Sequence, residues 1–464
     1  MIALAKAIGI GEKELIAVTG GGGKTTLISA LSKSLPGGVV VTATTRISLE
    51  EAASYRSVIN WSQSPAPATD DEGERTAAVH DREKLMEELN NCLEAQSFCL
   101  VVGEVEGNKV RGIPNDFPGQ FLALPNCDFV LVEADGSRRL PCKAPASHEP
   151  VVPADATIVI PMVGIDCIGG VLKEVAHRPK LVSAITGIDL QQPVTPAALA
   201  RLISHPNGGL KGIPLSARAI PFINKVDSPD QVEQARQIAA QLLKSDRIER
   251  VIIGSLQSSS PVREIHRRIT AVLLAAGRAE RMGELKQLLP WGDTTVLGHT
   301  IDNLMNSLVY EVVVISGYEA VRIEVEAAKH GASAFRNDDF EEGGMISSLQ
   351  TALKNLQPNR EAALVMLADQ PMISRQTINR LLSAWFEGRG EIVAPRYRGR
   401  RGNPVIFGRR YFEELQSVSR GGNPREILNR RAAELFLVDV DDEAVLQDLD
   451  LIEEYERWRP KSRS

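Results

Sequence analysis

Apolar residues in this chain fall into short unbroken runs, separated by stretches in which they recur every third or fourth position. In the first half the runs are Leu15–Val18, Val39–Thr42, Phe98–Val102, Phe129–Val132, Thr157–Ile160 and Ile220–Ile223. Runs this short, apolar at nearly every position, predict strands buried on both faces. Between them Leu27, Ile28, Leu31 and Leu35 form one helical stripe, and Leu85, Met86, Leu89 and Leu93 form another. In the second half the runs lie near 271–275, 311–316, 362–367, 391–394 and 404–407, with a last one at Phe436–Val440. Strands alternating with helices predict parallel sheets covered on both faces. Residues 61–75, rich in proline, serine and acids, predict a surface loop.

The alternation breaks at Gln257–Arg268, which is polar and contains a proline, and then starts afresh. A chain of 464 residues also exceeds one ordinary core. The prediction is an α/β protein of two doubly wound domains, residues 1–256 and 270–464, joined by a linker at 257–269. A hydrophobic share of 43% and a charged share of 24% are those of a soluble globular protein. The net charge of −6 argues against broad affinity for nucleic acid or anionic membranes. No apolar run approaches the roughly 20 residues of a membrane span, and the first residues lack a secretory signal pattern. Five cysteines without a C-x-x-C pair predict a reducing, cytoplasmic setting with neither disulfides nor zinc. The histidines lack metal-ligand spacing, which predicts surface or structural roles.

Two loops carry candidate chemistry. The first, Thr19-Gly20-Gly21-Gly22-Gly23-Lys24-Thr25-Thr26, stands between a strand and a helix. Glycines allow close backbone approach to phosphate, Lys24 reaches the outer phosphates, and the Thr25 hydroxyl reaches Mg²⁺. Val18 stands where the full P-loop pattern has its first glycine or alanine. The shorter form resembles the loop of the murein-ligase ATPases. The run Phe129–Val132 ends in Glu133-Ala134-Asp135, which predicts Asp135 as a second metal contact. Asn224-Lys225-Val226-Asp227 resembles the N-K-x-D motif of GTPases, whose aspartate accepts hydrogen bonds from the guanine edge. Four-residue matches also arise by chance, so the nucleotide of this half is expected to be GTP or ATP.

The second loop follows a buried run with Leu274-Ala275-Ala276-Gly277-Arg278, then Arg281, with Lys286 further on. Strand, glycine turn and cations are how a protein wraps a triphosphate. Leu364–Leu367 runs into Asp369, and Phe436–Val440 into Asp441, with Asp442 beside it. Two carboxylates at one sheet edge predict a Mg²⁺ site over the α-phosphate, with Asp369 the surer ligand and Asp441 the second. Lys286 is the candidate triphosphate screen, assisted by Arg278 or Arg281. The basic stretch Arg396, Arg398, Arg400 and Arg401 is either an anion attractor or a solvated loop.

Through about residue 256 the chain resembles the YqeC family, described as accessory to selenium-dependent hydroxylases. TGGGGKTT at 19–26, EADGS at 133–137, KAPASHEPVVP at 143–153 and PMVGIDCIGG at 161–170 carry the resemblance. It implies a nucleotide-dependent role in maturing molybdenum hydroxylases of the xanthine dehydrogenase type. Lys143, His148 and Glu149 are then second-site candidates, although a structural turn explains them equally well. Residues 270–456 resemble the molybdenum-cofactor nucleotidyltransferases, through the second loop, GGMISSLQTAL at 343–353, LADQP at 367–371, RGNPVIF at 401–407 and GGNPREIL at 421–428. The two resemblances imply a P-loop NTPase-like domain followed by a Rossmann-like nucleotidyltransferase domain. In the second family L-A-G-G goes with GTP and L-A-A-G with CTP, so Ala276 implies cytidylyl transfer. The implied reaction joins CTP to molybdopterin–Mo and releases pyrophosphate, with Arg401, Gly402, Asn403 and Pro404 on the pterin side. Two other readings stay open: a sugar-phosphate nucleotidyltransferase fused to an ATPase, and a non-catalytic carrier of finished cofactor.

Overall fold

The computed structural model describes residues 2–61, 71–278 and 285–460. The chain divides into two units, Met1–His266 and Arg267–Ser464. In the first, the strands that matter for the site are β1 (Glu14–Gly20), β2 (Val39–Ala43), β3 (Val58–Asn60), β4 (Phe98–Val102), β5 (Phe129–Glu133), β6 (Ile158–Gly164), β7 (Phe222–Asn224), β8 (Val251–Gly254) and β9 (Val262–His266). They lie side by side in the order β9-β8-β7-β6-β1-β5-β2-β4-β3, and every neighbouring pair is parallel except β8 with β9.

The unbroken apolar runs have a simple cause. Along β1, Leu15 and Ala17 pack with Val130, Val132 and Val40 on one face. Ile16 and Val18 pack with Leu131, Val39 and Val41 on the other. Side chains alternate with period two, so a sheet covered on both sides leaves no position for a polar residue until the strand ends. The helix α1 (Lys24–Ser34) buries Leu27, Ile28 and Leu31, most of its expected stripe.

The second unit has β10 (Ile269–Leu274), β11 (Glu311–Ser316), β12 (Ser333–Arg336), β13 (Ala362–Leu367), β14 (Ile392–Tyr397), β15 (Arg400–Arg401), β16 (Val405–Gly408) and β17 (Leu435–Asp439). Their order is β12-β11-β10-β13-β16-β14-β15, with β17 on β14. The β12-β11-β10-β13 half is parallel, while β16 runs antiparallel to both β13 and β14. Again β10 is buried on both faces, Ala271 and Leu273 on one side and Val272 and Leu274 on the other.

Two expectations change. The segment read as a linker at 257–269 contains β9, an edge strand paired antiparallel to β8, and the first residue of β10. Of its polar residues Arg263 is exposed while Glu264, His266 and Arg268 are buried, and the division between the two units falls after His266, inside this segment. The loop expected through residue 75 gives way to the helix Asp71–Gln96; residues 62–70 of that stretch lie outside the described residues. No helix among the described residues is long and apolar enough to cross a membrane.

Candidate functional site

In the second unit the strand–turn at Leu274 ends the buried part of β10, and the chain leaves the sheet at its carboxyl edge, where α/β proteins hold ligands. A cavity of about 250 Å³ opens there, lined by Leu274, Ala276, Gly277, Arg278, Lys286 and Asp369, with Phe340, Met345 and Ser348 among the others. Ala275 lies behind the lining, its N–H donating to Ile315 O. Lys286 Nζ donates to Asp369 Oδ2 at 2.5 Å and to Asp450 Oδ1 at 2.9 Å. Burial alone would lower the Lys286 pKa, but Asp369 and Asp450 outweigh it and hold the ammonium above the ordinary lysine value. Arg278 is engaged elsewhere: it pairs with Glu341, and its guanidinium lies 5.1 Å from the Tyr318 ring centre. Arg281 lies outside the described residues.

Asp441 is not among the residues that line this cavity. It follows β17, which is separated from β13 by β14 and β16, about 14 Å at three inter-strand spacings. Its neighbour Asp442 is spent on structure, accepting from Thr377 Oγ1 at 2.6 Å and Ser374 Oγ at 3.3 Å. The chain then crosses the sheet edge, and Leu449 N–H donates to Asp369 O at 3.1 Å. That crossing sets Asp448 and Asp450 on either side of a buried leucine and beside Asp369. Burial and the Asp369 charge push the Asp448 carboxyl up, and Gln370 Nε2 donates to it at 2.6 Å. The sequence signal for this pair is the alternation Asp448-Leu449-Asp450 alone.

The donor set fits a divalent cation. Asp369 Oδ1 and Gln370 Oε1 are buried and receive no hydrogen bond from the described residues. A buried carboxylate oxygen without a donor is costly, and a hard cation such as Mg²⁺ is bound by such oxygens while keeping several waters. No group of three or more His, Cys, Asp or Glu among the described residues is arranged to hold a metal ion. One or two carboxylates with phosphate oxygens would have to suffice.

Beside this cavity is a second, of about 320 Å³, which Gln370, Asp448, Arg401, Gly402, Asn403 and Arg425 help to line. Arg401 stands on the return strand of the β14–β15 hairpin, opposite Arg396. Gly402 is where the turn over Glu443–Leu446 comes closest: a Cβ there would sit 2.2 Å from Val445 O. Asn403 N–H donates to the same carbonyl at 2.9 Å. Arg396 is turned away from the cavity into a pair with Asp439 at 2.6 Å. Arg425 was not singled out by the sequence.

In the first unit the glycine loop is packed against its own protein. Gly20 N–H donates to both Asp135 oxygens, at 3.1 and 3.0 Å. Gly21 N–H donates to Met162 O at 2.9 Å and Gly22 N–H to Leu140 O at 3.2 Å. Gly22 has φ 78°, and a Cβ on it would meet Gly164 N at 2.3 Å, so only glycine fits. The expectation that these amides face phosphate is therefore not met in this conformation. No side chain caps α1, and its first-turn amides at Lys24, Thr25 and Thr26 are the remaining donors for an anion.

Lys24 Nζ donates to Gly20 O at 3.0 Å and lies 3.5 Å from Glu133 and 3.4 Å from Asp135. Burial opposes its charge, but the two carboxylates hold its pKa above the usual lysine value. The carboxylate beside Thr25 is Glu133, which accepts from Thr25 Oγ1 at 3.1 Å. Asp135, expected there, is instead saturated by Gly20, Lys24 and Lys143. β5 explains the exchange: Glu133 is its last residue, while Asp135 lies past it. Burial and the nearby Glu133 raise the Glu51 carboxyl to about 7, so a third acid belongs to this corner.

Lys143, 1% exposed, meets three acceptors: Asp135 at 2.9 Å, Glu149 at 2.8 Å and Gly136 O at 2.7 Å. Its three protons are matched. Arg178 grips Glu149 with both arms, at 2.6 and 3.0 Å. Against the upward push of burial, these bonds from Arg178 and Lys143 hold the Glu149 carboxyl down at about 2. His148 is exposed and 4.0 Å from Glu149.

The N-K-x-D segment splits. Asn224 is buried and braces the loop, donating to Gly22 O at 2.8 Å and accepting from Leu256 N–H at 3.0 Å. Lys225 pairs with Asp166 at 2.7 Å. Asp227 is exposed, and its carboxylate has no hydrogen bond to the described residues.

Residues 271–435 match a family model described as a MobA-like NTP transferase domain, and residues 16–180 match one described as YqeC protein. The chain is 28% identical over 247 residues to the uncharacterized protein YqeC of Escherichia coli (strain K12), across 52% of this chain and 88% of that one. It is 23% identical over 192 residues to the molybdenum cofactor cytidylyltransferase of the same strain, across 40% and 93%. Among solved structures, Rv0371c from Mycobacterium tuberculosis H37Rv is 31% identical, across 41% of this chain and 96% of that one, at a TM-score of 0.36.

Proposed function

Since the chain joins a YqeC domain to a MobA-like NTP transferase domain, a nucleotidyltransferase, we propose that the second domain transfers a cytidylyl group from CTP to Mo-molybdopterin. The products are the cytosine dinucleotide cofactor and pyrophosphate. An oxygen of the pterin's terminal phosphate bonds to the α-phosphorus of CTP. The bond from that phosphorus to the bridging oxygen breaks, and pyrophosphate leaves with the electron pair.

The observation that carries this reading is the meeting of Lys286 and Asp369 in the cavity of the Gly277 loop. In use, Lys286 screens the triphosphate and Asp369 holds its place at the α-phosphate. Positioning and charge neutralisation supply the catalysis, and no covalent protein nucleophile is needed. Asp369, with Asp448 beside it, would hold Mg²⁺, which when bound neutralises phosphate charge. Arg401, Gly402, Asn403 and Pro404 face the acceptor. Ala276 narrows the base side toward cytosine.

The first domain, in this proposal, binds GTP or ATP at the α1 N-terminus, with Lys24, Thr25 and Glu133 around the phosphates. It serves the maturation of a molybdenum hydroxylase. The test of the whole is direct. The full chain is incubated with Mo-molybdopterin, Mg²⁺ and each of the four ribonucleoside triphosphates, and the pterin product is weighed by mass spectrometry. The cytosine dinucleotide alone is expected. Use of UTP or dTTP with a sugar 1-phosphate would replace this reading with a sugar-phosphate enzyme, and tight cofactor binding without CTP turnover would replace it with a carrier.

A further inference from the structure

Three arginines, Arg400, Arg401 and Arg425, line the 320 Å³ cavity, and the other arginines of this part of the chain stand outside its lining. Arg396, Arg410 and Arg431 are each paired with a carboxylate, to Asp439 at 2.6 Å, Glu434 at 2.6 Å and Glu414 at 3.2 Å, and Arg420 is paired with Asp339. Arg401 and Arg425, which line the cavity, have no ion pair or side-chain hydrogen bond to any described residue. Burial, and next the positive charge of Arg425, lower the Arg401 pKa. Neither guanidinium pairs with Asp448, the one carboxylate in the lining, whose Oδ1 accepts from Gln370. Two guanidiniums facing one small space repel each other, and an anion between them relieves the repulsion.

The position of the cavity says which anion. Gln370 and Asp448 line it, and Asp369, next to Gln370, lines the cavity of the glycine loop. The cation on the glycine-loop side that faces the nucleotide's own phosphates is Lys286, since Arg278 there is paired with Glu341. Those on the far side of Asp369 are left for the other reactant. Each guanidinium presents a planar fork that matches two oxygens of a tetrahedral oxyanion.

We propose that Arg401 and Arg425 form a clamp for the terminal phosphate monoester of the acceptor, so that this pocket selects acceptors ending in a phosphate dianion. The proposal rests on reading the second domain as a nucleotidyltransferase with a phosphorylated acceptor. It adds Arg425, and it adds a discrimination: an acceptor ending in a hydroxyl is refused, because the two charges are then left unneutralised in the cavity.

The test uses inorganic phosphate as probe. The full chain, its nucleotide side filled with Mg²⁺ and α,β-methylene-CTP, is titrated with phosphate by calorimetry, and the same is done for Arg401→Gln and Arg425→Gln. Saturable phosphate binding to the wild type is expected, weakened about tenfold or more in each variant, with affinity for the CTP analogue unchanged. That unchanged affinity also certifies that the variants are folded. No phosphate binding to the wild type, equal binding in both variants, or displacement of the CTP analogue by phosphate would each overturn the clamp. Loss of phosphate binding in both variants, in a protein that does not turn over Mo-molybdopterin, upholds the clamp and refutes the acceptor named above.

Discussion

Lys286 Nζ lies 2.5 Å from Asp369 Oδ2, across 83 residues of sequence, and Asp450 closes on the same ammonium from a third segment. The second oxygen of Asp369 is left buried and without a donor. An ion pair with one arm free is suited to handing its carboxylate to a cation when a triphosphate draws Lys286 away. Asp369→Asn is expected to lower the rate of pyrophosphate release about 100-fold or more. Asp448→Asn is expected to lower it about tenfold, and Asp441→Asn to leave it within about twofold. A larger loss in Asp441→Asn than in Asp448→Asn would restore Asp441 to the metal.

Ala276 is 5% exposed, and its methyl occupies the space beside Gly317, where a Cβ on the glycine would come within 2.7 Å of it. Removing that methyl in Ala276→Gly opens room next to the nucleotide cavity. The ratio of kcat/KM for GTP to that for CTP is expected to rise about tenfold, the usual worth of one methyl group in a pocket. An unchanged ratio in a competition assay would detach base choice from this residue.

Asn224 and Asp227, three residues apart, should behave differently. Asn224→Ala removes one hydrogen bond to the glycine loop, at Gly22 O, and one from Leu256 N–H, and costs about 1–3 kcal/mol of local stability. Thermal stabilisation by ATP and by GTP should therefore fall together. Asp227→Ala leaves the loop alone and should reduce stabilisation by GTP only. Equal effects on the two nucleotides from Asp227→Ala would remove the case for guanine recognition.

Glu264 is 3% exposed and held by Arg236 at 3.1 Å and by His266 at 2.7 Å. Burial pushes its pKa up, yet His266 and Arg236 bring it down to about 2 from 4.5. A depressed carboxyl stabilises the fold above its unfolded pKa, and that stability is lost as pH falls through the folded one. The contribution is on the order of 3 kcal/mol at neutral pH. Glu264→Gln should be less stable than wild type at pH 7, and the gap should close between about pH 4.5 and 2. A gap that stays constant in denaturant melts over that window would mean that the charge is not what stabilises this strand.

The two sheets and both glycine loops were legible in the chain because their causes are local. A strand covered on both faces must be apolar at successive positions, as β1 and β10 are, and a turn held at positive φ against a neighbouring strand must be glycine, as at Gly22. Those rules act within a few residues, so the order of letters carries them. The edge strand Val262–His266 was hidden for a related reason: Glu264 and His266 are polar yet buried, held by each other and by Arg236, and only the fold shows those partners.

Which charges meet was decided only when the chain folded back on itself. Asp441 ends an apolar run just as Asp369 does, but two strands stand between their ends, and it is the crossing at Leu449 that delivers Asp448 and Asp450 instead. Glu133 displaces Asp135 beside Thr25 because a strand's last residue and one just past it face different neighbours. Arg425 has nothing local to set it apart from the paired arginines around it. A side chain's electrostatic partner depends on the path of segments distant in sequence, and periodicity along the chain holds no record of that path.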